Sequence, residues 1–283
     1  MDFDKITIII TTFHSEKKIL NCLKSIDSKI KVIVIENSNN LNFKNDIEKN
    51  FVNVECVLAG KNLGYAKGNN LGLSKVKSQY ALILNPDATL EQNTIENFLK
   101  SANLLKDFAI IGPARQKEFS KEINEFQKDK IFETEYLKGF AMFLNLDQFT
   151  GIGFFDENFF IYLEEIDLCK RLRKENKKIF LDSNIKINHL GGSSHDESVD
   201  FEMELSRNWH WMWSKFYFNK KHYGFTYSLL SVSGNLLSSV LKIFLYTITF
   251  NKKKRRIYFQ RFSGLLNSII GKKSWYRPKI FIN

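Results

Sequence analysis

The sequence predicts an α/β protein in which a mixed, mostly parallel sheet is flanked by helices and followed by a basic, helical C-terminal extension. Along residues 1–190, short runs rich in β-branched residues alternate with helical patterns, as in βαβ units. Several of these runs end in polar residues that suit a site at the edge of a sheet. We therefore predict a main domain over residues 1–215 and an extension over residues 216–283.

The first predicted unit is a strand, a helix and a second strand. Residues 6–10 are an apolar run that ends in Thr11 and Thr12, as expected for a buried parallel strand. Residues 15–26 carry apolar side chains on one helical face, and Ser15 is the predicted N-cap. Residues 31–35 form a second buried strand, and the polar turn after it begins at Glu36. This order begins a parallel sheet.

A glycine- and asparagine-rich stretch follows a third predicted strand at residues 54–58. Residues 60–72 contain four glycines and three asparagines, which suits a loop whose backbone approaches a ligand before a helix begins. Ordinary turns use the same residues. The stretch lacks the P-loop spacing, and no G-x-G-x-x-G follows the first strand, which argues against ATPase and NAD-dependent functions.

The fourth predicted strand, residues 80–84, ends in Asn85-Pro86-Asp87. An Asp just past the carboxyl end of a central strand lies where open α/β sheets bind ligands. A Pro-Asp turn into a helix over residues 91–105 explains the same residues equally well. Beyond it we predict a strand at 109–112, a loop or flap at 115–132, and an apolar segment at 137–146 in which Gly139 lets the backbone approach a ligand.

Three carboxylates, Glu164, Glu165 and Asp167, lie within four residues, directly behind an aromatic cluster. Crowded carboxylates raise one another's pKa, which favours a general base or a site for a cation or sugar hydroxyls. Acids in a first helical turn are also favoured by the helix dipole alone. Two short strands, at 179–181 and 185–188, then lead to His189, which is either a ligand or a structural histidine.

Together these segments resemble the inverting family 2 glycosyltransferases of the GT-A (Rossmann-like) fold, particularly their bacterial rhamnosyltransferase-like branch. The resemblance covers roughly residues 5–215, and the segments follow the family's order and spacing. The matching segments are Ile-Thr-Thr-Phe-His-Ser, Val-Ile-Glu-Asn-Ser, Asn-Leu-Gly-Tyr-Ala-Lys-Gly-Asn-Asn, Leu-Asn-Pro-Asp, Lys-Gly-Phe-Ala-Met, Phe-Phe-Ile-Tyr-Leu-Glu-Glu-Ile-Asp-Leu-Cys-Lys-Arg and His-Leu-Gly-Gly-Ser.

The resemblance implies a nucleotide-sugar donor, either a dTDP- or a UDP-sugar, and a divalent cation. It places Asp87 at the last acid of the family's D-x-D motif, which holds Mn²⁺ or Mg²⁺ against the diphosphate. His189 matches a position that completes the metal shell in some relatives. The motif here is Asn85-Pro86-Asp87, so one acid remains. The implied donor-binding residues are Thr11, Thr12, Glu36, Asn62, Gly64, Lys67, Asn70 and Asn85.

The resemblance also implies the catalytic residues. Glu165 would deprotonate the acceptor hydroxyl, Glu164 would bind sugar hydroxyls, and Asp167 with Arg171 would brace the helix. Glu165 and Glu36 replace the commoner aspartates, so Glu164 stays open as the base. The expected reaction moves a sugar, with rhamnose as one candidate, onto a lipid-linked or other glycan in cell-surface polysaccharide synthesis. The alternative is a catalytically silent module that binds a nucleotide sugar or a partner protein.

The formal net charge of +11 is unevenly distributed. Residues 1–204 hold 27 basic and 31 acidic residues, a net charge of −4, whereas residues 205–283 hold fifteen Lys or Arg and no acid. Residues 223–250 form an amphipathic helical pattern that precedes the basic cluster at 252–256. This combination favours attachment to an anionic membrane surface. Membrane spanning, packing against the domain and contact with a second subunit in a homodimer are the alternatives.

The three cysteines, Cys22, Cys56 and Cys169, are scattered and lack a C-x-x-C spacing, so neither a disulfide framework nor a zinc site is expected. Residues 1–10 lack the pattern of a signal peptide. We therefore expect a cytoplasmic protein that is peripheral on the inner face of the cell membrane. The sequence contains no nucleic-acid-binding motif, and we expect no nucleic-acid partner.

Overall fold

A computed structural model describes residues 2–114, 130–189, 191 and 195–280. The strands are β1 (Ile6–Thr12), β2 (Lys31–Glu36), β3 (Val54–Leu58), β4 (Tyr80–Leu84), β5 (Ala88–Leu90), β6 (Ile110–Pro113), β7 (Ile131–Glu133), β8 (Ala141–Asn145), β9 (Ile179–Asp182) and β10 (Ile187–His189). The helices are α1 (Glu16–Lys24), α2 (Leu41–Asn50), α3 (Gly64–Leu73), α4 (Thr94–Leu105), α5 (Glu164–Lys174), α6 (Asp200–Tyr223), α7 (Phe225–Ile248) and α8 (Lys252–Ile269).

Eight strands form one mixed sheet in the order β3-β2-β1-β4-β8-β6-β9-β7. The four strands from β3 to β4 are parallel, β8 is antiparallel to both of its neighbours, and β5 pairs with β10 in a separate two-stranded sheet. β1, β4 and β8 are buried almost throughout, since helices cover the sheet. The predicted mixed, mostly parallel sheet flanked by helices is confirmed.

Several local predictions need correction. Helix α2 and the short strands β5 and β7 were not predicted, and Ile131 and Phe132 lie in β7 rather than in a loop. Residues 115–129 of the predicted flap lie outside the described residues. Helix α4 begins at Thr94 rather than at residue 91, because Asn93 before it has a left-handed backbone with φ 62°.

Two glycines in the predicted ligand-binding loop serve helix packing instead. Helix α3 begins at Gly64, so Gly68 and Gly72 are helical and face β1. A Cβ on Gly68 would lie 2.6 Å from Thr11 Cγ2, and one on Gly72 would lie 2.5 Å from Ile9 Cγ2. The helix therefore packs on the strand at a distance that a larger residue would prevent.

The chain forms two compact units, Met1–Phe155 with Glu165–Asp196 and Asp156–Glu164 with Glu197–Asn283. The first contains both sheets and the second contains α6, α7 and α8. Helix α6 runs through the boundary expected at residue 215. A main domain over residues 1–215 and a membrane-associating extension over 216–283 stays a prediction, since compactness alone does not define a functional domain.

The second unit has a core of its own, built largely from aromatic residues of α6. Trp209 and Trp213 pack with Leu205 and with Tyr276 from the C-terminal segment. The indole of Trp209 donates to Ser263 Oγ on α8 at 3.2 Å, and that of Trp213 donates to Lys272 O at 2.9 Å. Buried indole nitrogens thus have partners, as a stable core requires.

Helix α7 turns its polar face inward and its apolar face outward. Its buried residues are Ser228, Val232 and Ser239. Ser228 Oγ donates to Phe216 O on α6 at 2.8 Å. The large exposed side chains on α7 are Phe225, Tyr227, Leu229, Leu230, Leu237, Val240, Leu241, Phe244, Leu245 and Ile248. The predicted amphipathic helix is present, and it packs on α6 and α8 through small polar residues together with Val232 and Leu236.

A pair of glycine substitutions tests the packing of this unit. A Cβ on Gly264 of α8 would overlap the carbonyl oxygen of Trp209, whereas one on Gly234 of α7 would meet nothing within 4 Å. We expect Gly264→Ala to lower the free energy of unfolding by about 1–3 kcal/mol or more. Gly234→Ala should raise it by about 0.5–1 kcal/mol, because Ala favours a helix. Urea unfolding measures both, and shifts of equal sign would contradict the packing described.

Candidate active site

The carboxyl ends of β1, β2 and β4 lie along one edge of the sheet. Thr12 is paired with Glu36 in the β1–β2 register, and Asp87 follows the end of β4 by three residues. Ligands of open α/β sheets bind at this edge. The predicted site residues at the ends of these three strands, Thr12, Glu36 and Asp87, therefore lie along the same edge of the sheet.

Asp87 is a buried carboxylate without a hydrogen bond among the described residues. Its side chain is 1% exposed, and neither Oδ1 nor Oδ2 accepts a hydrogen bond in the part of the chain that the structure describes. His189 Nε2 lies 3.2 Å from Oδ1, within ion-pair distance, but the two atoms do not form a hydrogen bond. Such a carboxylate is costly to bury unless a cation compensates its charge.

The two-stranded sheet explains how His189 reaches Asp87. In the β5–β10 ladder His189 is opposite Ala88, the residue after Asp87. The imidazole ring stacks on Phe140, with centroids 4.6 Å apart and an interplanar angle of 5°. Asn85 Nδ2 lies 3.4 Å from His189 Nε2. A ring held this firmly presents Nε2 toward the carboxylate.

Two side chains at this edge of the sheet could act as ligands of a divalent cation. Asp87 and His189 offer an oxygen and a nitrogen, and no group of three His, Cys, Asp or Glu side chains in the described ranges forms a metal cluster. Mg²⁺ and its analogues commonly use one or two protein ligands and take the rest from water and substrate phosphates. Burial of Cys22, and to a smaller extent the negative charge of Asp87, raises the pKa of the Cys22 thiol. The thiol is therefore neutral and is not a thiolate that could bind a metal.

The acidic residues of α5 differ in burial and in partners. Asp167 is fully buried, and Arg171 Nε donates to its Oδ2 at 2.9 Å. The same guanidinium donates to the carbonyl oxygens of residues 152, 153 and 154. Asp167 and Arg171 thus link helix α5 to residues 152–154. Such a link would hold the helix in position.

Glu165 is partly exposed, whereas Glu164 is buried at 4% exposure. A Cβ placed on Gly139 would lie 3.6 Å from both Cβ and Cγ of Glu165. Tyr65 Oη donates to Gly139 O. Helix α3, the segment before β8 and the start of α5 therefore meet around Gly139.

The Glu36 carboxylate is fully engaged in its own turn. Its Oε1 accepts from the backbone N of Ser38 at 2.8 Å and from the Ser38 hydroxyl, and its Oε2 accepts from the backbone N of Asn40 at 2.6 Å. The residue is 1% exposed. The predicted contact with a nucleotide would have to compete with these bonds.

The remaining predicted donor-binding residues make local contacts. Thr11 Oγ1 donates to Asn69 Oδ1 at 2.9 Å, and Thr12 Oγ1 donates to Ile35 O at 3.3 Å. Asn62 Oδ1 accepts from the backbone N of Gly64 at 3.1 Å. Lys67 is exposed on α3. These residues shape the segment between the first strands and α3.

Asn70 holds the backbone of Phe155 through both ends of its amide, since Nδ2 donates to Phe155 O at 2.9 Å and Oδ1 accepts from Phe155 N at 3.1 Å. Asn37, which is not among the predicted site residues, is buried, and its Oδ1 accepts from Leu63 N at 3.3 Å. Tyr65 and Phe140 were likewise missed. All three residues lie within the sequence segments that resemble the family, and this position could have identified them as candidates.

The sequence profile of Glycosyl transferase family 2 matches residues 7–169, more than half of the chain. The chain belongs to this family. Its curated relatives include the low-salt glycan biosynthesis hexosyltransferase Agl10 of Haloferax volcanii, 26% identical over 199 residues, which cover 62% of this chain and 64% of Agl10. Rhamnosyltransferase WbbL of Escherichia coli is 23% identical over 201 residues, 58% of this chain and 75% of WbbL.

Solved structures support the fold of this family 2 chain. The mannosyltransferase PcManGT from Pyrobaculum calidifontis, solved in complex with GDP-Man and Mn²⁺, has a TM-score of 0.60 over 95% of this chain and 88% of its own. Its sequence identity is 11%, so the likeness concerns the fold alone. The predicted family is confirmed, and WbbL among the relatives supports the predicted rhamnosyltransferase-like branch.

Proposed function

We propose that this family 2 protein is an inverting glycosyltransferase that moves a sugar from a nucleoside-diphosphate sugar to a hydroxyl of a glycan or lipid-linked acceptor. The observation that carries the proposal is the buried Asp87 carboxylate, which has no hydrogen bond from a described residue and lies at the ligand-binding edge of the sheet. A dTDP- or UDP-sugar is the proposed donor, with rhamnose as one candidate. Cell-surface polysaccharide synthesis is the proposed process.

The base is proposed to be Glu165. Its carboxylate takes the proton of the acceptor hydroxyl while that oxygen bonds to the anomeric carbon, and the bond from this carbon to the diphosphate breaks on the opposite face. Glu165 is the more exposed of the two glutamates, although its Oε2 is buried, and this supports its role because a base must meet an acceptor that arrives from solvent. Glu164 is proposed to bind sugar hydroxyls, and its burial makes it the less accessible of the two carboxylates for an acceptor.

Asp87 and His189 are the proposed protein ligands of a divalent cation. When bound there, the ion would offset the negative charge that develops on the leaving nucleoside diphosphate. The stacked ring of His189 fixes the direction of its Nε2, and Asn85 beside it limits movement of that ring. Both features support a site prepared before the donor arrives.

The proposed donor site uses the turn after β2 and the start of α3. Glu36 is proposed to act through the turn it organises, because both of its oxygens bind backbone groups there. Asn70 similarly acts by fixing the chain at Phe155. Direct contact with the nucleotide is proposed for Thr11, Thr12, Asn62, Gly64, Lys67 and Asn85.

A panel of nucleotide sugars tests this function. The protein is incubated with UDP-, dTDP- and GDP-sugars and Mn²⁺, and free nucleoside diphosphate is measured over hours. We expect slow hydrolysis of one donor class, because water takes the place of the acceptor at the base. Absence of release from every donor, together with measurable nucleotide binding, would favour the catalytically silent module, which the single remaining acid of the metal motif supports.

The second unit is proposed to bind a membrane surface at the cytoplasmic face. Helix α7 is long and apolar enough to cross a membrane, and only 17% of its most apolar window is buried. Its polar face is occupied by hydrogen bonds to α6, such as Lys215 Nζ to Asn235 Oδ1 at 2.7 Å. The basic start of α8 follows directly. An exposed apolar helix face next to a basic cluster suits an anionic bilayer surface.

Vesicle flotation tests whether the exposed apolar face of α7, and not other exposed apolar residues, binds the membrane. Leu241 on α7 is 58% exposed, and Leu104 on α4 is 74% exposed. We expect the protein to float with vesicles that contain phosphatidylglycerol, and Leu241→Glu to weaken binding about tenfold or more, since one buried Leu contributes about 1.5–3 kcal/mol. Leu104→Glu should leave binding unchanged. Equal binding by both variants would argue against α7 as the contact.

A further inference from the structure

Two consecutive residues before the acidic cluster have strained backbones. Tyr162 has φ 74° and Leu163 has φ 68°, and Glu164 and Glu165 follow directly. Residues with large side chains rarely adopt this left-handed region, so the surrounding structure must hold them there. The strain lies where the chain enters helix α5.

One buried hydroxyl holds the chain next to the strained pair. Ser214 on α6 is 0% exposed, and its Oγ donates to Ile161 O at 3.0 Å. The ring of Tyr162 meets Trp211 of the same helix edge to face, with centroids 5.5 Å apart. Helix α6 thus contacts the chain at the last residue before the strained pair and at its first member.

A second contact fixes the chain at Phe160. Its ring stacks on the imidazole of His210, with centroids 4.3 Å apart, and the guanidinium of Arg277 lies 3.8 Å from its centroid. Burial lowers the pKa of His210 to about 3, so the ring is neutral at physiological pH. His210 Nε2 lies 2.9 Å from Tyr276 O, which ties the stack to the C-terminal segment.

A third contact fixes the beginning of the segment. Asp156 Oδ2 accepts from Tyr217 Oη at 3.0 Å and from Lys221 Nζ at 2.7 Å. Burial alone would raise the pKa of Asp156, but its bonds to Lys221 and Asn158 hold that pKa below the usual value. An ionised Asp156 therefore faces a cation from helix α6.

We propose that residues 156–164 form a positioning loop, held by helix α6 at three points, that sets the backbone direction at the start of helix α5 and therefore that of Glu165, the next residue. The proposal rests on the proposed role of Glu165 as base. The contacts from Ser214, Trp211, His210, Tyr217 and Lys221 described above lie within the second unit, and the chain then enters helix α5. Ser214 is the proposed positioning residue, because it binds the backbone carbonyl of Ile161, the residue directly before the strained pair, and does not act on substrate.

The first test removes the Ser214 hydroxyl in the full-length protein. Ser214→Ala is compared with Ser228→Ala, since both serines are 0% exposed and donate to a backbone carbonyl of another segment. We expect amide exchange of the peptide that covers residues 161–168 to accelerate in Ser214→Ala alone. Unchanged exchange in that peptide, or equal acceleration in both variants, overturns the proposal without any activity measurement.

The second test measures the kinetics of sugar transfer with the donor that the wild-type protein turns over. Displacement of a reacting group by ~1 Å can cost about 100-fold in rate, so we expect Ser214→Ala to lower kcat about ten- to hundredfold with the donor KM unchanged. Loss of binding with kcat unchanged would assign Ser214 to substrate binding and overturn the proposal. A wild-type protein without turnover contradicts the proposed function, while the exchange result still decides whether the loop is held by Ser214.

The strained pair provides an independent variant. Glycine adopts a positive φ without strain, so Leu163→Gly should not lower the melting temperature, yet it should lower kcat and accelerate exchange at residues 161–168. Asn176, with φ 56° at the far end of α5, is the matched position. Asn176→Gly should keep wild-type kcat. Wild-type kcat and exchange in Leu163→Gly would overturn the role of the strained loop.

Discussion

Glu165→Gln is expected to lower sugar transfer by about 100- to 10,000-fold, the usual contribution of a general base. The amide keeps the shape of the side chain but cannot accept the acceptor proton. Because the shape is kept and the residue is not fully buried, the replacement should leave the fold and nucleotide binding intact. Steady-state turnover, with circular dichroism as the control for folding, measures the effect.

Glu164→Gln is the matched control for this prediction. Glu164 is adjacent in sequence but buried, so an acceptor has poorer access to it. We expect its loss of rate to stay below about 100-fold, the lower end for a lost general base. A larger loss in Glu164→Gln than in Glu165→Gln would exchange the roles of the two residues.

Asp87→Asn is expected to abolish metal-dependent turnover without lowering stability. Stabilisation of the leaving group by a cation contributes several kcal/mol, which corresponds to about 100-fold or more in rate. The Asp87 carboxylate is buried and no described residue donates a hydrogen bond to it, so its replacement removes a buried charge that no hydrogen bond stabilises. The free energy of unfolding should therefore stay the same or rise.

Asp182→Asn should behave in the opposite way. Asp182 is also buried, but Ser101 Oγ and the backbone N of Asn184 donate to its carboxylate. Loss of these bonds should lower the free energy of unfolding by about 1–3 kcal/mol and leave turnover at permissive temperature unchanged. In addition, Mn²⁺ should raise the melting temperature of the wild type but not of Asp87→Asn. Destabilisation by both substitutions would argue that Asp87 is a structural residue.

The main strands could be predicted because their residues leave few alternatives. The apolar runs at 6–10, 31–35 and 80–84 match β1, β2 and β4 closely. A run of this kind fits a buried strand and is too short for a core helix. The position of Asp87 at the sheet edge follows from the same runs, since the carboxyl ends of parallel strands share one edge.

The neighbourhood of Asp87 could not be predicted in full. His189 reaches it through β5 and β10, which have three residues each and pair across about a hundred residues of chain. Strands this short carry little periodicity, and nothing local specifies their partner. The same reason explains why β7 was missed.

The hydrogen-bond partners of polar side chains also could not be predicted from the sequence. Glu36 and Asn70 have suitable chemistry for a nucleotide, yet the folded chain uses Glu36 in its own turn and Asn70 on the backbone of Phe155. Helix α7 shows a related limit, because periodicity separates its two faces without telling which one packs. Small serines packed inward there, and the larger apolar residues remained outside.

The anomeric configuration of the released sugar tests the central claim most directly. Proton NMR can follow hydrolysis of the accepted nucleotide sugar at enzyme concentrations where release outpaces mutarotation. A single base that attacks opposite the diphosphate predicts that the inverted anomer appears first and that Glu165→Gln suppresses its formation. First appearance of the retained anomer, or the same rate of release from Glu165→Gln, would contradict inverting transfer at this site.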